Sequence, residues 1–248
     1  MRPSLGTSTQ SASVWSSNKN MDFTNRHLTE IPPNLLQTII GAASELEILT
    51  LSVNSLASLP PEIGLLTSLQ ELYVHKNQLV HLPEELGNLK LKRLCISDNL
   101  LDDLPSEQCL AGLADSLEKL EFHFNRFTII PPQIGLLTSL QALYIYGNKL
   151  TSLPEEIGKL TNLHTIFAHH NALTTVPASI GDLVYLQVLD LSDNKLSRLP
   201  VEMANLRRLK KLNLSNNRSL KVPIALKVVA ATLSLSLSLS LSLSLSLS

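Results

Sequence analysis

A leucine pattern repeated at a nearly constant spacing constrains this chain more than any other feature. The clearest copy runs from Leu140 to Leu163 and reads LQALYIYGNKLTSLPEEIGKLTNL. The other full copies start at Leu46, Leu69, Leu91, Leu117, Leu163, Leu186 and Leu209. Five of the seven intervals between successive starts are 23 residues long. One supersecondary unit repeated at this spacing predicts a solenoid, in which each coil packs only against its neighbours.

Each position of the copy has a structural role. Leu143 and Ile145 alternate with exposed residues at period two, which predicts a short strand. Because every coil runs the same way, the strands of successive copies should pair in parallel. An asparagine follows at the bend, where its amide can donate to and accept from backbone groups that the turn leaves unpaired. This asparagine recurs at Asn54, Asn77, Asn99, Asn125, Asn148, Asn171, Asn194 and Asn217.

A proline marks the point where each coil leaves the core for the outer side, and it fixes φ there. Nine of the thirteen prolines hold this position, namely Pro32, Pro60, Pro83, Pro105, Pro131, Pro154, Pro177, Pro200 and Pro223. The pairs Glu84-Glu85 and Glu155-Glu156 follow it and look like catalytic carboxylates. They should start short outer helices, where negative charge suits the exposed amides, so we interpret them as structural. The segment SEQCLAGLADS carries the insertion and is expected on the outer face.

The chain divides into three regions. Residues 1–20 are rich in Ser and Thr and lack an acidic residue and a continuous apolar run. We predict a disordered tail there, with a transit peptide as the alternative. Residues 21–223 form the repeat domain, which begins with a degenerate copy. Residues 224–248 are a low-complexity tail that ends in eight Leu-Ser pairs. We interpret this tail as a translated CT dinucleotide repeat or a gene prediction that overruns the coding sequence, and a membrane span is its functional alternative.

Composition narrows the function classes. The net charge of −1 removes the main argument for nucleic acid as a partner, since that binding needs clustered positive charge. The only cysteines, Cys95 and Cys109, form no metal-ligand pattern and no disulfide cap, which favours a reducing, intracellular compartment. The sequence contains no local catalytic motif and no glycine-rich phosphate loop, so we expect neither an enzyme nor a cofactor.

The template LxxLxLxxNxLxxLPxxIGxLxx, as in residues 140–162, resembles the leucine-rich repeat. Its Leu-Pro and Ile-Gly elements resemble the intracellular Ras-group class, which includes Scribble-like and Erbin-like scaffolds and plant Ras-group-related proteins. The resemblance implies an α/β solenoid of about nine repeats, a horseshoe with a concave parallel β-sheet and short convex helices or 3-10 turns. It also implies a cytoplasmic, non-catalytic scaffold for protein–protein interaction in signalling.

What such a scaffold would bind follows from the resemblance as well. It implies a protein partner on the concave face, such as a small GTPase or another signalling protein, with this chain as a monomer. The alternative is the recognition arm of a longer enzyme or immune receptor whose catalytic part is absent from this chain.

Three columns of residues should lie on the concave face, and aromatic and histidine side chains concentrate in their middle. The column between the two strand leucines reads Asp22, Thr50, Tyr73, Cys95, Glu121, Tyr144, Phe167, Asp190 and Asn213. The next reads Thr24, Ser52, His75, Ser97, His123, Tyr146, His169, Ser192 and Ser215, and a third adds Phe124 and His170. Central exposed aromatics are typical of interface hot spots. The predicted binding residues are Tyr73, His75, Glu121, His123, Phe124, Tyr144, Tyr146, Phe167, His169 and His170.

The histidines of these columns also raise the question of a metal site. Tyr146 lies between His123 and His169 and separates them. Adjacent residues such as His169 and His170 point to opposite faces of a strand unless a turn rotates one of them. No carboxylate or thiolate completes a set of four ligands. We therefore predict no metal.

A basic patch lies in the last two copies and consists of Arg207, Arg208, Lys210 and Lys211, with Arg218 and Lys221 nearby. It could meet an acidic partner or anionic lipid, and the simpler interpretation is that it solubilises the open end of the solenoid.

Overall fold

A single parallel sheet forms the framework, and its strand order follows the sequence. The computed structural model describes residues 19–221 and 223, together with the backbone of residues 236–238. One strand belongs to each of nine repeats, as predicted: β1 (Asn20–Asp22), β2 (Ile48–Thr50), β3 (Glu71–Tyr73), β4 (Arg93–Cys95), β5 (Lys119–Glu121), β6 (Ala142–Tyr144), β7 (Thr165–Phe167), β8 (Val188–Asp190) and β9 (Lys211–Asn213). A tenth strand, β10 (Ser236–Ser238), pairs in parallel with β9.

Short helices cover the outer side. Six are 3-10 helices of five residues: η1 (Pro61–Leu65), η2 (Glu84–Asn88), η3 (Pro132–Leu136), η4 (Glu155–Lys159), η5 (Ala178–Asp182) and η6 (Val201–Asn205). The two α-helices are α1 (Pro33–Gly41) and α2 (Glu107–Leu113). A template proline precedes α1 and every 3-10 helix with φ between −71° and −60°, the range that its ring imposes. The predicted insertion forms α2, which packs between η2 and η3 on the outer side.

The core lies between the sheet and the outer helices and is built from template leucines. Leu143 and Ile145 are fully buried, as are their counterparts in the neighbouring coils. Phe122 and Phe127 fill the core beside the insertion, with ring centroids 4.6 Å apart. Since each coil contributes the same inward positions, one continuous core runs along the described solenoid.

The bend asparagines tie each coil to the one before it. Asn148 Nδ2 donates to the carbonyl oxygens of Phe122 and Ile145, each at 3.1 Å, and Asn148 Oδ1 accepts from the Phe127 amide at 3.2 Å. The same pattern occurs at the other seven bend positions of the template. These side chains therefore pair with backbone groups at the bend, as the sequence predicts, and they also bridge to the preceding coil.

The glutamate pairs behind the prolines also act between coils. Glu84 Oε1 accepts from the Ser106 amide at 3.0 Å, and the other oxygen of Glu84 accepts from the Ser106 hydroxyl. Glu155 Oε2 accepts from the Ser179 amide at 3.2 Å. Both pairs begin a 3-10 helix and bind the backbone of the next coil, which supports their interpretation as structural residues.

The ends of the repeat domain show how far the template extends. Lys19 pairs with Glu47 at 2.7 Å directly before β1. In the last copy, Leu220 is buried and Ser219 is exposed, so the core position has moved by one residue. Residues 1–18 of the predicted disordered tail at residues 1–20 lie outside the described residues, whereas Asn20 belongs to β1. Nearly all of the Leu-Ser tail, with its membrane-span alternative, also lies outside the described residues. Within the described residues, no helix combines the length and the apolar character needed to cross a membrane.

Candidate functional site

The strand register aligns the predicted concave columns. Glu121 pairs with Tyr144, Tyr144 pairs with Phe167, and Phe167 pairs with Asp190 across successive strands. The 23-residue spacing fixes this register, because a shift of one residue would turn the leucines out of the core. Aromatic side chains of three neighbouring coils are thereby brought side by side.

A histidine–tyrosine–histidine stack forms the centre of the face. The rings of His123 and Tyr146 lie 4.2 Å apart at 11°, and those of Tyr146 and His169 lie 4.4 Å apart at 8°. Beside this stack, the rings of Tyr144 and Phe167 lie 5.3 Å apart at 20°. Stacked rings shield one another's faces, which contributes to the half-buried state of these side chains.

Phe124 is the most exposed aromatic residue of this group. Its side chain is 49% exposed, and its ring meets Tyr146 edge-on, with centroids 5.2 Å apart at 84°. Gly147 makes room for it, since a Cβ at this position would lie 2.4 Å from the Phe124 ring. We call His123, Phe124, Tyr144, Tyr146, Phe167, His169 and His170 the concave aromatic band.

A left-handed turn follows each of the strands β1 to β9 and places the third column. Nine residues occupy it with φ between 51° and 65°: Asn25, Val53, Lys76, Asp98, Phe124, Gly147, His170, Asp193 and Asn216. The amides of the first eight still bind the next coil, as when Phe124 N–H donates to the Tyr146 carbonyl at 3.0 Å. The turn rotates His170 toward His169, and the two rings meet with centroids 5.2 Å apart. This is the rotation that the sequence left open.

A charged cluster lies next to the concave aromatic band, and the sequence patterns did not predict it. Arg93 binds Glu121 through Nε at 2.9 Å and through its terminal nitrogen at 2.6 Å, and Lys119 Nζ lies 3.4 Å from the same carboxylate. Arg93 also lies over the Tyr73 ring and Lys119 over the Tyr144 ring. Glu121 is thus buried beneath two cations. A pattern in the sequence could have predicted this cluster. The period-two alternation of each strand also includes the residue directly before the first strand leucine, which places that residue on the same face.

Tyr73 and His75 lie apart from the concave aromatic band. The small side chains of Cys95 and Ser97 occupy the coil between them and the band. His75 Nδ1 lies 2.8 Å from Ser52 Oγ, and Tyr73 Oη donates to Glu71. Burial, followed by this hydrogen bond, raises the pKa of Tyr73 to about 12. The ten predicted binding residues are therefore divided into three sets. Seven form the contiguous concave aromatic band, Tyr73 and His75 form a separate pair, and Glu121 is buried beneath the cations of the charged cluster.

Burial favours the neutral form of three of the column histidines. It is the largest cause that lowers the pKa values of His75, His123 and His169 below the ordinary 6.5. Nδ1 of His123 and of His169 is buried, and no group in the described chain hydrogen-bonds to either atom. A protonated ring must carry N–H at both nitrogens, so protonation would leave a buried donor unpaired.

We expect the free energy of unfolding to fall as the pH is lowered from about 7.5 to about 5.5. The three native-state pKa values lie below 6.5, so the unfolded chain binds more protons through this window. Urea unfolding at both pH values measures the effect. Replacing His123 and His169 by Gln should reduce the pH dependence, whereas His81→Gln, at an exposed position outside the columns, should not. Equal pH dependence in both variants would contradict the prediction.

Among the described residues, no three His, Cys, Asp or Glu side chains come together as metal ligands. The basic patch is present as an exposed surface, since Arg207, Arg208, Lys210 and Lys211 are all exposed.

Comparison with known proteins agrees with the geometry. Family models described as leucine-rich repeat match residues 68–89, 139–160 and 169–218. No curated protein sequence matches the chain.

Three solved structures resemble the solenoid. A leucine-rich-repeat protein of Leptospira interrogans has a TM-score of 0.66 at 27% identity over 83% of this chain. The ectodomain of the plant membrane receptor kinase GASSHO1/SCHENGEN3 from Arabidopsis thaliana, in complex with CASPARIAN STRIP INTEGRITY FACTOR 2, has a TM-score of 0.67 at 28% identity over 81%. The plant peptide hormone receptor RGFR1, in complex with RGF2, has a TM-score of 0.63 at 27% identity over 78%.

The matches cover 65%, 24% and 33% of those three proteins, so this chain spans less than two-thirds of each. The repeat spacing, the parallel sheet and the matching structures agree on one conclusion: the described part of the chain has the leucine-rich-repeat solenoid fold.

Proposed function

We propose that this protein is a non-catalytic interaction scaffold that binds a protein partner through the concave aromatic band. The observation that carries the proposal is the contiguous surface of stacked rings on three neighbouring coils. Packing alone does not require large aromatic residues there, because the same columns hold serine, threonine and asparagine in other coils. Aromatic side chains at the centre of a patch are typical of binding hot spots.

The structural neighbours support a polypeptide partner. The two plant receptors are complexes, one with CASPARIAN STRIP INTEGRITY FACTOR 2 and one with RGF2. We extend polypeptide binding to this chain as part of the proposal. A small GTPase or another signalling protein is the partner class that the repeat type favours, with the chain acting as a monomer in the cytoplasm. Both cysteines are free and buried, which is consistent with a reducing compartment.

Replacing Tyr144, Tyr146 and Phe167 together by Ala should weaken partner capture by about a hundredfold or more, because several hot-spot side chains are removed at once. The measurement is affinity capture with the full chain, followed by mass spectrometry and titration of the captured partner. The control replaces Leu65, Ile129 and Val201 by Ala, which removes three exposed apolar side chains from outside the columns. Circular dichroism should show intact folding in both variants. Undiminished capture by the concave variant would refute the proposal.

A second candidate is the recognition arm of a longer enzyme or receptor. The observation in its favour is that the chain spans only 24% and 33% of the two plant receptors. A transcript that encodes a catalytic domain continuous with these repeats would support it. A transcript that ends directly after the repeats would exclude it.

A further inference from the structure

A second exposed surface lies beside the last two coils, away from the concave aromatic band. Val184 and Tyr185 follow η5, and Arg207 and Arg208 occupy the same template positions one coil later. Val184 is 47% exposed and Tyr185 is 39% exposed. The guanidinium carbon of Arg208 lies 4.5 Å from the centroid of the Tyr185 ring. An open groove runs between the two coils here and is lined by Gly181, Asp182, Val184, Tyr185, Asn205, Arg207 and Arg208.

Positive charge is concentrated at this end of the solenoid. Residues 186–221 contain eight Lys or Arg against three Asp or Glu, although the whole chain has a net charge of −1. Within the described residues, no carboxylate forms an ion pair with a member of the basic patch. Asp182 lines the groove and offsets only part of the charge. The cations of this surface are thus available to an external anion.

We propose that the basic patch, with Val184 and Tyr185, docks the protein onto an anionic phospholipid surface. Arginine and lysine side chains near a membrane attract acidic headgroups, and each contributes to binding. A tyrosine with an apolar neighbour suits the interfacial layer, where one end of the ring is apolar and the other is hydrated. The groove is shallow and open, which fits a broad surface of headgroups better than a single enclosed ligand.

The apolar residues favour lipid over an acidic protein segment as the occupant. Electrostatic attraction to either partner needs only the cations, whereas exposed Val184 and Tyr185 gain from burial in the headgroup layer. This surface shares no residue with the concave aromatic band. Failure of one proposal therefore leaves the other intact.

The test is co-sedimentation of the full chain with phosphatidylcholine vesicles, with and without about 30% phosphatidylserine. We expect binding to anionic vesicles that weakens strongly between about 0.1 M and about 0.5 M salt. Replacing Arg207, Arg208, Lys210 and Lys211 by Ser should reduce the partition coefficient by roughly fivefold per residue, several hundredfold in total. Replacing Val184 by Ser and Tyr185 by Ala should weaken it further.

The matched control replaces Lys90, Lys92, Lys149 and Lys159 by Ser, which removes the same charge from exposed positions elsewhere. This variant should keep most of the binding. The Leu-Ser tail is common to all variants, and neutral vesicles measure its contribution. Equal loss in the control, or equal binding to neutral vesicles, would overturn the proposal. Binding to polyglutamate without binding to anionic vesicles would assign the patch to an acidic polypeptide and overturn the lipid assignment.

Discussion

Replacing Gly112 by Ala is expected to destabilise the protein by about 3 kcal/mol, the upper end of the range for overpacking. A Cβ at Gly112 would lie 2.0 Å from the carbonyl oxygen of Gly87 and 2.7 Å from its carbonyl carbon. Both obstacles are backbone atoms, so no side chain can rotate to relieve the contact. Helix α2 would have to move away from η2, which is its main neighbour on the outer side.

The chain offers a control for this change. Gly41 is the last residue of α1, and a Cβ there would meet nothing within 4 Å. Gly41→Ala should therefore cause no loss and should stabilise the helix by up to about 1 kcal/mol. Urea unfolding, with the midpoint and slope determined together, compares the two variants. A Gly112→Ala midpoint equal to that of the wild type would show that the outer layer can separate freely at the insertion.

Replacing Asn125 by Ala is expected to cost about 3 kcal/mol as well, because it leaves several buried groups unpaired. Asn125 Nδ2 donates to the carbonyl oxygens of Ile96 at 3.0 Å and Phe122 at 3.1 Å. Asn125 Oδ1 accepts from the Leu101 amide at 3.0 Å. One side chain thus bridges two coils, and water has little access to its place, since Asn125 is only 7% exposed.

Two further variants separate the contributions. Asn125→Asp keeps the size and the acceptor but loses the donor, so it should be at least as unstable as Asn125→Ala. Asn88→Ala, at an exposed position in η2, should change the midpoint little. The same urea experiment measures both. A small effect of Asn125→Ala would mean that the bend holds its shape through backbone hydrogen bonds alone.

The repeat pattern made the backbone of this protein predictable in detail. The position of Asn148 at the bend already implied that its amide would pair with backbone groups of the turn, and the structure shows that contact together with one to the preceding coil. The column alignment of Tyr144 with Phe167 followed in the same way from one fixed register. A repeated unit specifies its own neighbours, so a local pattern becomes a long-range prediction.

The side-chain arrangement on the concave face was less predictable. The parallel stacking of His123, Tyr146 and His169 depends on rotamers that a residue column does not contain. The burial of Glu121 beneath Arg93 was not predicted, because Arg93 lies directly before the strand residues from which the concave columns were read. The sequence therefore predicts which residues lie on the concave face. It does not show which of their side chains remain exposed and which contact one another.

At the left-handed turns that follow the strands, the residue that would give the most stable backbone is in most coils not the residue that is present. An ordinary residue in this conformation costs roughly 1–2 kcal/mol relative to the right-handed region, and glycine avoids the cost. Only Gly147 among the nine turn residues makes use of this. Asn and Asp adopt this conformation at a low energetic cost, whereas a bulky residue such as Phe124 adopts it at a higher cost. Phe124 therefore presents an exposed ring from a backbone position where glycine would be more relaxed.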